Sequence, residues 1–406
     1  VPIELPWPGF AATAAPVQPL REFILKVQSR CNLDCDYCYV YHLADQSWQK
    51  QPRGMSDAVV EAVANRIAEH AQAHDLDEVA IRLHGGEPLL TGPDLLIRIT
   101  ETIRAGVAPL RVLASVQTNG VLLDQRTAER LVDAQIGIGV SIDGDRSAND
   151  LHRRFRDGRS SYDAASAAIT LMGRPGLRAS FGGVLCTVQL AADPLAVWAS
   201  LLDLGTPAVN FLLPHSTWEN PPPGSGHADG RTPYADWLIP IFDAWFDASE
   251  SPCEVRMFED LIHLLLGGSA SYEAFGLNPI ALVVIETDGS YEQADSMKAV
   301  GEGAAATGMS VFRHSLDEVA RLPALQARQI GAAALAPKCR QCRHHRVCGG
   351  GLYSHRYRPG AGFRNPSVYC ADLFALISHI EAKVEAGLAR RGTSLARIRE
   401  AAQHNP

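Results

Sequence analysis

The nine cysteines of this 406-residue chain are unevenly spread. Cys31, Cys35 and Cys38 form a C-x3-C-x2-C segment near the front. Cys339, Cys342 and Cys348 form a C-x2-C-x5-C segment near the back, with Cys370 further on. Three thiolates this close can hold three irons of a cubane 4Fe–4S cluster and leave the fourth iron open to a ligand. A zinc held by three Cys and a fourth ligand such as His42 is the alternative for the front group. Four thiolates can saturate a whole cluster, or hold a structural zinc, and spacing alone leaves these two nearly equal. Cys186 and Cys253 read as core thiols. In a chain this long the clustering is not a disulfide scaffold, and it points to metal ligation in a reducing, cytoplasmic setting.

The elements that must position these groups repeat as strand then helix. Strands are expected at Phe23–Ser29, Val79–Leu83, Val112–Gln117, Ile136–Ile142, Ala179–Thr187 and Ala208–Leu213. Helices are expected at Ser56–Ala73, Pro93–Ala105, Asp124–Ala134, Tyr162–Met172 and around Pro194–Leu202. Six such units favour a parallel sheet covered by helices and curled as a partial barrel, though an open doubly wound sheet shares the periodicity. Thr217–Pro233, with Pro221-Pro222-Pro223-Gly224, reads as a linker. Helices at Tyr234–Ala248 and Phe258–Leu266 follow, then a hairpin of Ile280–Ile285 and Ser290–Gln293 turning at Asp288-Gly289. That hairpin offers an edge to which an extended peptide could add a strand. Pro337–Asp372 is irregular and rich in Cys, Gly, Arg and Tyr, as expected where metal ligation replaces an apolar core. A closing helix runs from Asp372 to Arg390.

Composition is that of an ordinary globular protein, with 46% hydrophobic and 20% charged residues. The net charge of −8 disfavours broad nucleic-acid binding. No apolar run reaches the length of a membrane span, and Val1–Pro19 lacks the pattern of a signal peptide. Val1 itself suggests a trimmed start.

Cys31-Asn32-Leu33-Asp34-Cys35-Asp36-Tyr37-Cys38, directly after the first strand, resembles the cluster loop of the radical S-adenosylmethionine superfamily. The resemblance extends to Tyr37, to Gly85-Gly86-Glu87-Pro88 after the second strand, and to Ser141-Ile142-Asp143-Gly144 at the end of the fourth. It implies a partial (β/α)6 TIM-like barrel that binds S-adenosylmethionine on the open iron. One electron then breaks a carbon–sulfur bond to yield a 5′-deoxyadenosyl radical. Gly85 and Gly86 permit a close backbone approach, and Glu87 can accept from the methionyl amine. Tyr37, Ser141 and Asp143 match cofactor-site positions of the family, and Gln117, Asn119 and Arg153 are candidates from adjacent strand ends.

The back segment resembles the SPASM extension of peptide-modifying members, an α+β iron–sulfur domain that commonly carries two auxiliary clusters. Here Leu352 and Ala294 stand where two further cysteines would be expected. The resemblance therefore implies one auxiliary cluster, on Cys339, Cys342, Cys348 and Cys370, and two 4Fe–4S clusters in all. In similar sulfatase-maturating enzymes an aspartate follows that hairpin cysteine and takes the substrate proton. Asp295 holds the matching place, and a raised pKa is expected for it in a partly dry site.

The expected division is an arm at 1–19, the barrel at 20–215, linker and bridging helices at 216–275, the SPASM-like domain at 276–372 and a tail at 373–406. Cys38–His42 through Asp45–Trp48, Gly349–Tyr357 and Asn365–Asp372 further resemble the FxsB branch, which implies a carbon–carbon cyclophane crosslink to an aromatic residue of a ribosomal precursor peptide. Sulfatase maturation, epimerisation and thioether formation are the alternatives, and a zinc-binding scaffold a remote one. The partners implied are the precursor peptide and a reducing donor such as flavodoxin or ferredoxin.

Overall fold

The computed structural model describes residues 6–11, 17–224, 230–270 and 273–404, with side chains as far as 401. Much of the expected N-terminal arm and residues 225–229 of the expected linker lie outside the described residues.

Six strands run parallel in chain order: β1 (Glu22–Gln28), β2 (Glu78–Gly85), β3 (Arg111–Thr118), β4 (Ile136–Ser141), β5 (Phe181–Thr187) and β6 (Ala208–Leu212). Each is followed by helix: α1 (Asp57–Ala73), α2 (Pro93–Val107), α3 (Gln125–Asp133), α4 (Arg146–His152) and α5 (Tyr162–Met172), α6 (Pro194–Asp203), and α7 (Pro233–Phe246). The strands alternate because their two faces meet different surroundings. In β2, Val79, Ile81 and Leu83 are buried against the helices. The opposite faces contribute Ile24, His84, Gln117, Ser141 and Leu185 to an inner pocket. Burying one such aliphatic side chain contributes about 1.5–3 kcal/mol. The helices start where side chains can satisfy their first amides. Ser56, Asp124, Asp145 and Asp193 accept from Val59, Thr127, Ala148 and Ala196 respectively.

The hairpin does not offer the free edge expected of it. A two-residue strand, β7 (Glu254–Val255), extends the far side of the sheet before α8 (Arg256–Leu265). The hairpin strands β8 (Leu282–Ile285) and β9 (Ser290–Glu292) then return to the near side, followed by β10 (Ala306–Ser310). β8 pairs in parallel with β1, giving one ten-stranded sheet in the order β10-β9-β8-β1-β2-β3-β4-β5-β6-β7. Neither strand of the hairpin presents a free edge, because β8 lies between β1 and β9, and β9 between β8 and β10. An unpaired β1 edge would expose a row of backbone donors and acceptors, and β8 satisfies them.

A second, smaller apolar core lies behind the hairpin. Ala294, Met297, Tyr353 and Phe363 meet there with Trp7 and Phe10 from the start of the chain. A long closing helix, Cys370–Arg390, lies on α7, and its Asp372 accepts from Tyr234 N at 2.8 Å and Ala235 N at 3.2 Å. That carboxylate caps α7 from another helix. Among the described residues no helix is long and apolar enough to cross a membrane.

Candidate active site

The front cysteines leave β1 in a tight loop. Cys38 N donates to Cys35 O at 2.9 Å, and His42 N donates to Cys38 O at 2.9 Å. Asn119 Nδ2, beyond β3, reaches Asn32 Oδ1 at 2.8 Å, tying the loop to the barrel rim. Gly85 and Gly86 do allow a close approach, but to the protein's own chain. A Cβ on Gly86 would lie 1.9 Å from Tyr41 Oη and 2.3 Å from Arg30 O. The two glycines therefore let β2 end flush against the cysteine loop.

Cys31, Cys35 and Cys38 line a pocket of 330 Å³ with Tyr37, Gly85, Gly86, Glu87, Gln117, Asn119, Ser141 and Arg153. Glu87 is 1% exposed. Its Oε1 accepts from Thr118 Oγ1 at 2.6 Å and Leu89 N at 2.9 Å, and its Oε2 from Asn119 N at 2.8 Å. That leaves room for about one more donor on a carboxylate with about four acceptor sites. Gln117 Nε2 donates to Ser141 Oγ at 2.9 Å. Asp143 differs from its expected role. It lies behind Tyr37, with Oδ2 accepting from Tyr37 Oη at 2.6 Å and Oδ1 from Thr187 N at 2.9 Å, and the described pocket lining does not include it. Arg153 donates to Tyr37 Oη at 2.9 Å, so Asp143 and Tyr37 together hold the guanidinium at the pocket wall.

The donor set fits an iron–sulfur cluster and S-adenosylmethionine. Burial pushes the Cys31 thiol up to about 12 and the Cys35 thiol up to about 11. Such thiols ionise when a metal takes their charge. The buried Nε of Arg153 has no partner in the chain and suits an anionic group such as a carboxylate. Among the described residues no three cysteine sulfurs lie mutually within 4.8 Å, whereas thiolates around one tetrahedral zinc stand about 3.8 Å apart.

Asp295 enters the same pocket from the far side of the hairpin. Its Oδ2 accepts from Lys26 Nζ at 2.7 Å and from Tyr39 Oη at 3.2 Å, and Oδ1 is buried without a partner. The expected rise in its pKa is corrected here. Burial pushes the carboxyl up, but the Lys26 ammonium and His84 outweigh it and hold it at about 2. Lys26 is 3% exposed, so the pair is poorly screened. Burial, with the Lys26 ammonium beside it, pushes His84 down to about 4, and burial pushes His215 down to about 4; both line the same pocket. Lys26, His84 and His215 were not singled out from the sequence. His215 follows β6 by three residues, and the C-terminal ends of barrel strands are where chemistry collects, which was the available signal.

The back cysteines come from separate pieces. Cys339 lies in the short helix Pro337–Arg340, Cys348 ends His345–Cys348, and Cys370 opens the closing helix. With Cys342 they line a cavity of 780 Å³. Gly349, with φ +58°, must be glycine, since a Cβ would lie 1.7 Å from Gly276 O. Arg356 clamps the loop after Cys348 by donating to the carbonyls of Gly349 and Gly351 at 2.5 and 2.8 Å. The positions expected to have lost cysteines are accounted for, with Ala294 2% exposed in the second core and Leu352 on the inner pocket.

A loop of three thiols at the mouth of a parallel barrel, beside a pocket for a charged ligand, defines a class. Residues 25–188 match the Radical SAM superfamily, and the chain is an enzyme of oxidoreductase type. The fold is the partial (β/α) barrel of that class fused to a C-terminal SPASM-like α+β domain. The cysteine-type anaerobic sulfatase-maturating enzyme of Clostridium perfringens is 25% identical over 282 residues, covering 68% of this chain and 74% of that protein. A solved structure of native anSMEcpe with bound AdoMet and Kp18Cys peptide is similar at a TM-score of 0.74 and 21% identity, covering 90% of this chain and 98% of that one. Streptococcus suis SuiB bound to precursor peptide SuiA is similar at a TM-score of 0.56 and 14% identity, covering 87% and 76%.

Proposed function

We propose that this chain oxidises a side chain of a bound peptide by two electrons, using S-adenosylmethionine and one 4Fe–4S cluster at each cysteine group. In this reading Cys31, Cys35 and Cys38 hold the front cluster, and Cys339, Cys342, Cys348 and Cys370 hold a single auxiliary cluster. Glu87, Gln117, Asn119, Ser141 and Arg153 bind and orient the cofactor between Gly85-Gly86 and the strand ends, while Tyr37 and Asp143 fix Arg153. When bound, the cofactor supplies a carbon radical that removes a hydrogen atom from the peptide.

The observation that carries the reading is the unpartnered Oδ1 of Asp295 in the pocket of the front cysteines. A carboxylate oxygen there can take the proton that an oxidised peptide must lose. Lys26 holds the carboxylate charged and in position through Oδ2. Leu185, Leu212, Leu213 and Leu352 line the rest of the pocket and keep water from the reacting atoms. The peptide enters where the barrel's strand ends face residues 276–372, the segment assigned to the auxiliary domain. Flavodoxin or ferredoxin is the donor proposed for the front cluster.

The sulfatase-maturating relatives favour oxidation of a Cys side chain in a sulfatase-type peptide as the first form of this reaction. A carbon–carbon crosslink to an aromatic residue is the second form. It is favoured by Ala294 and Leu352, which depart from the two-auxiliary-cluster pattern, and by the FxsB-like stretch Gly349–Tyr357. Both forms need the same proton acceptor.

The test is an anaerobic reaction of reconstituted protein with S-adenosylmethionine, dithionite and two peptides offered separately. One is a short cysteine-containing sulfatase-type peptide, and the other is the short peptide encoded beside this gene. The expected result is 5′-deoxyadenosine together with an oxidised peptide, its new bond or aldehyde located by mass and fragmentation. Intact iron with 5′-deoxyadenosine but no change in either peptide would overturn the reading.

A further inference from the structure

The front and back cysteine groups are connected by a row of rings. Tyr39 directly follows Cys38, and Tyr369 directly precedes Cys370. Between them stand His215 and His355. Ring centroids are 4.8 Å apart from Tyr39 to His215, 6.1 Å from His215 to His355, and 4.9 Å from His355 to Tyr369. Three different parts of the chain supply these rings: the loop after β1, the exit from β6, and the back segment.

The row is fixed at both ends and along its length. Tyr39 Oη donates to Asp295 Oδ2 at 3.2 Å. Tyr369 is fully buried, and its Oη donates to Pro214 O at 2.7 Å, one residue before His215. Val368 N donates to His355 O at 2.8 Å. Hydrogen bonding does not explain why two imidazoles sit in the middle. His215 Nδ1 and His355 Nε2 are both buried and meet no partner in the chain. Buried polar atoms left unpaired are uncommon and call for a role. An aliphatic side chain would pack there without stranding a polar atom.

We propose that Tyr39, His215, His355 and Tyr369 form an electron path from the radical pocket to the four back thiolates. This rests on the function proposed above. After hydrogen abstraction the peptide carries one unpaired electron. Its oxidation to a closed-shell product releases one proton, taken by Asp295, and one electron, taken by an oxidised iron–sulfur cluster on Cys339, Cys342, Cys348 and Cys370. The substrate radical is oxidised by one electron and the cluster is reduced by one. The rings end as they began. Electron tunnelling falls steeply with the gap between donor and acceptor, so intervening π systems shorten each jump. Ala294 lies in an apolar core, so no second cluster is held there to shorten the gap.

The test compares His355→Leu with His355→Phe in fully reconstituted protein, using whichever of the two peptides wild type turns over. His355 is 3% exposed and does not line the radical pocket, so both variants should keep wild-type iron content and 5′-deoxyadenosine formation. Freeze-quench electron paramagnetic resonance follows reduction of the back cluster during a single turnover. The leucine variant should slow that reduction, and peptide product per 5′-deoxyadenosine, by about tenfold or more, with phenylalanine within about threefold of wild type. Equal rates in leucine variant and wild type would overturn the path. So would equal losses in the leucine and phenylalanine variants with iron intact, since that is the signature of packing. If wild type turns over neither peptide, the proposed function itself falls. If it turns over one and the variants match it, the path alone falls.

Discussion

The two cysteine groups are built in opposite ways. The front group lies within eight consecutive residues, Cys31–Cys38, and backbone bonds inside the loop shape it. The back group is assembled from short helices and the start of a long one, and depends on the Gly349–Arg356 clamp and on the closing helix. Their charged surroundings differ too. The front thiols face buried, paired groups: Arg153 on Tyr37, and Lys26 on Asp295. The back thiols sit among exposed Lys338, Arg340, Arg343 and Arg346. A site that must bind and aim a charged cofactor needs fixed, dry partners. On the function proposed above, the back group needs a cage rigid enough to hold its four thiolates in place.

The largest effect should come from breaking one group at a time. Cys35→Ala should abolish 5′-deoxyadenosine formation, since it removes one of three ligands from the open cluster. Cys342→Ala should leave measurable 5′-deoxyadenosine while peptide product collapses. Iron and sulfide analysis of wild type should give about eight irons per chain, and about half that in either variant. Stoichiometric zinc at the back group, or 5′-deoxyadenosine at the wild-type rate in Cys35→Ala, would erase the distinction between the two groups.

Next in size are changes to the buried Lys26–Asp295 pair at the front pocket. Asp295→Asn should keep 5′-deoxyadenosine formation and lower peptide product by about a hundredfold, within the usual range for a lost general base. The pH dependence has a defined sign. Asp295 is held at about 2, below its unfolded value, so the pair stabilises the fold above about pH 4 and loses that contribution as pH falls toward 2. Wild-type product formation should therefore show no acid limb from Asp295 above about pH 4. Lys26→Met removes the cation and leaves burial, which raises the carboxyl pKa. The acid limb should then move to higher pH, read as product rate against pH. An unmoved limb would mean that Lys26 does not set the charge on Asp295.

The front group was legible from sequence because its information is local. Spacing within one loop, a glycine pair after the next strand and the strand–helix period all survive in a linear reading, and Ser56 and Asp124 proved to be helix caps. What was not legible depends on partners far apart in the chain. Lys26 and Asp295 are 269 residues apart, and nothing near either one marks the pairing or the low pKa that follows. The parallel pairing of β8 with β1 is likewise set by an edge that only the folded sheet exposes. The Gly-Gly pair was noticed for the right reason, close approach, but the approaching group is Tyr41 and the β1 backbone. His355 gave no signal in a segment already crowded with Cys and Arg. Asp143 matched a motif, yet the fold turned it behind Tyr37.

The smallest effect sharpens the contrast between a local and an assembled site. Two helix caps can be removed with similar chemistry. Ser56 Oγ accepts from Val59 N at 3.4 Å and caps α1 within its own segment. Asp372 caps α7 from two residues beyond Cys370, through Tyr234 N at 2.8 Å and Ala235 N at 3.2 Å. Each loss should cost about 1 kcal/mol of stability, read as a shift in the denaturant midpoint. The consequences for iron should differ. In Ser56→Ala the closing helix keeps its hold, and chelator should strip iron from the back group at the wild-type rate. In Asp372→Ala the closing helix loses its tie to α7, the N-terminal end that carries Cys370 is freer, and iron should leave the back group about two to three times faster, as expected when a supporting interaction of about 0.5 kcal/mol is lost at a metal site. The front group should be unaffected in both, because its three cysteines lie in the loop after β1 and not on the closing helix. If chelator removes back iron equally fast from both variants, Cys370 is held by its own turn, and the back group is as local as the front one.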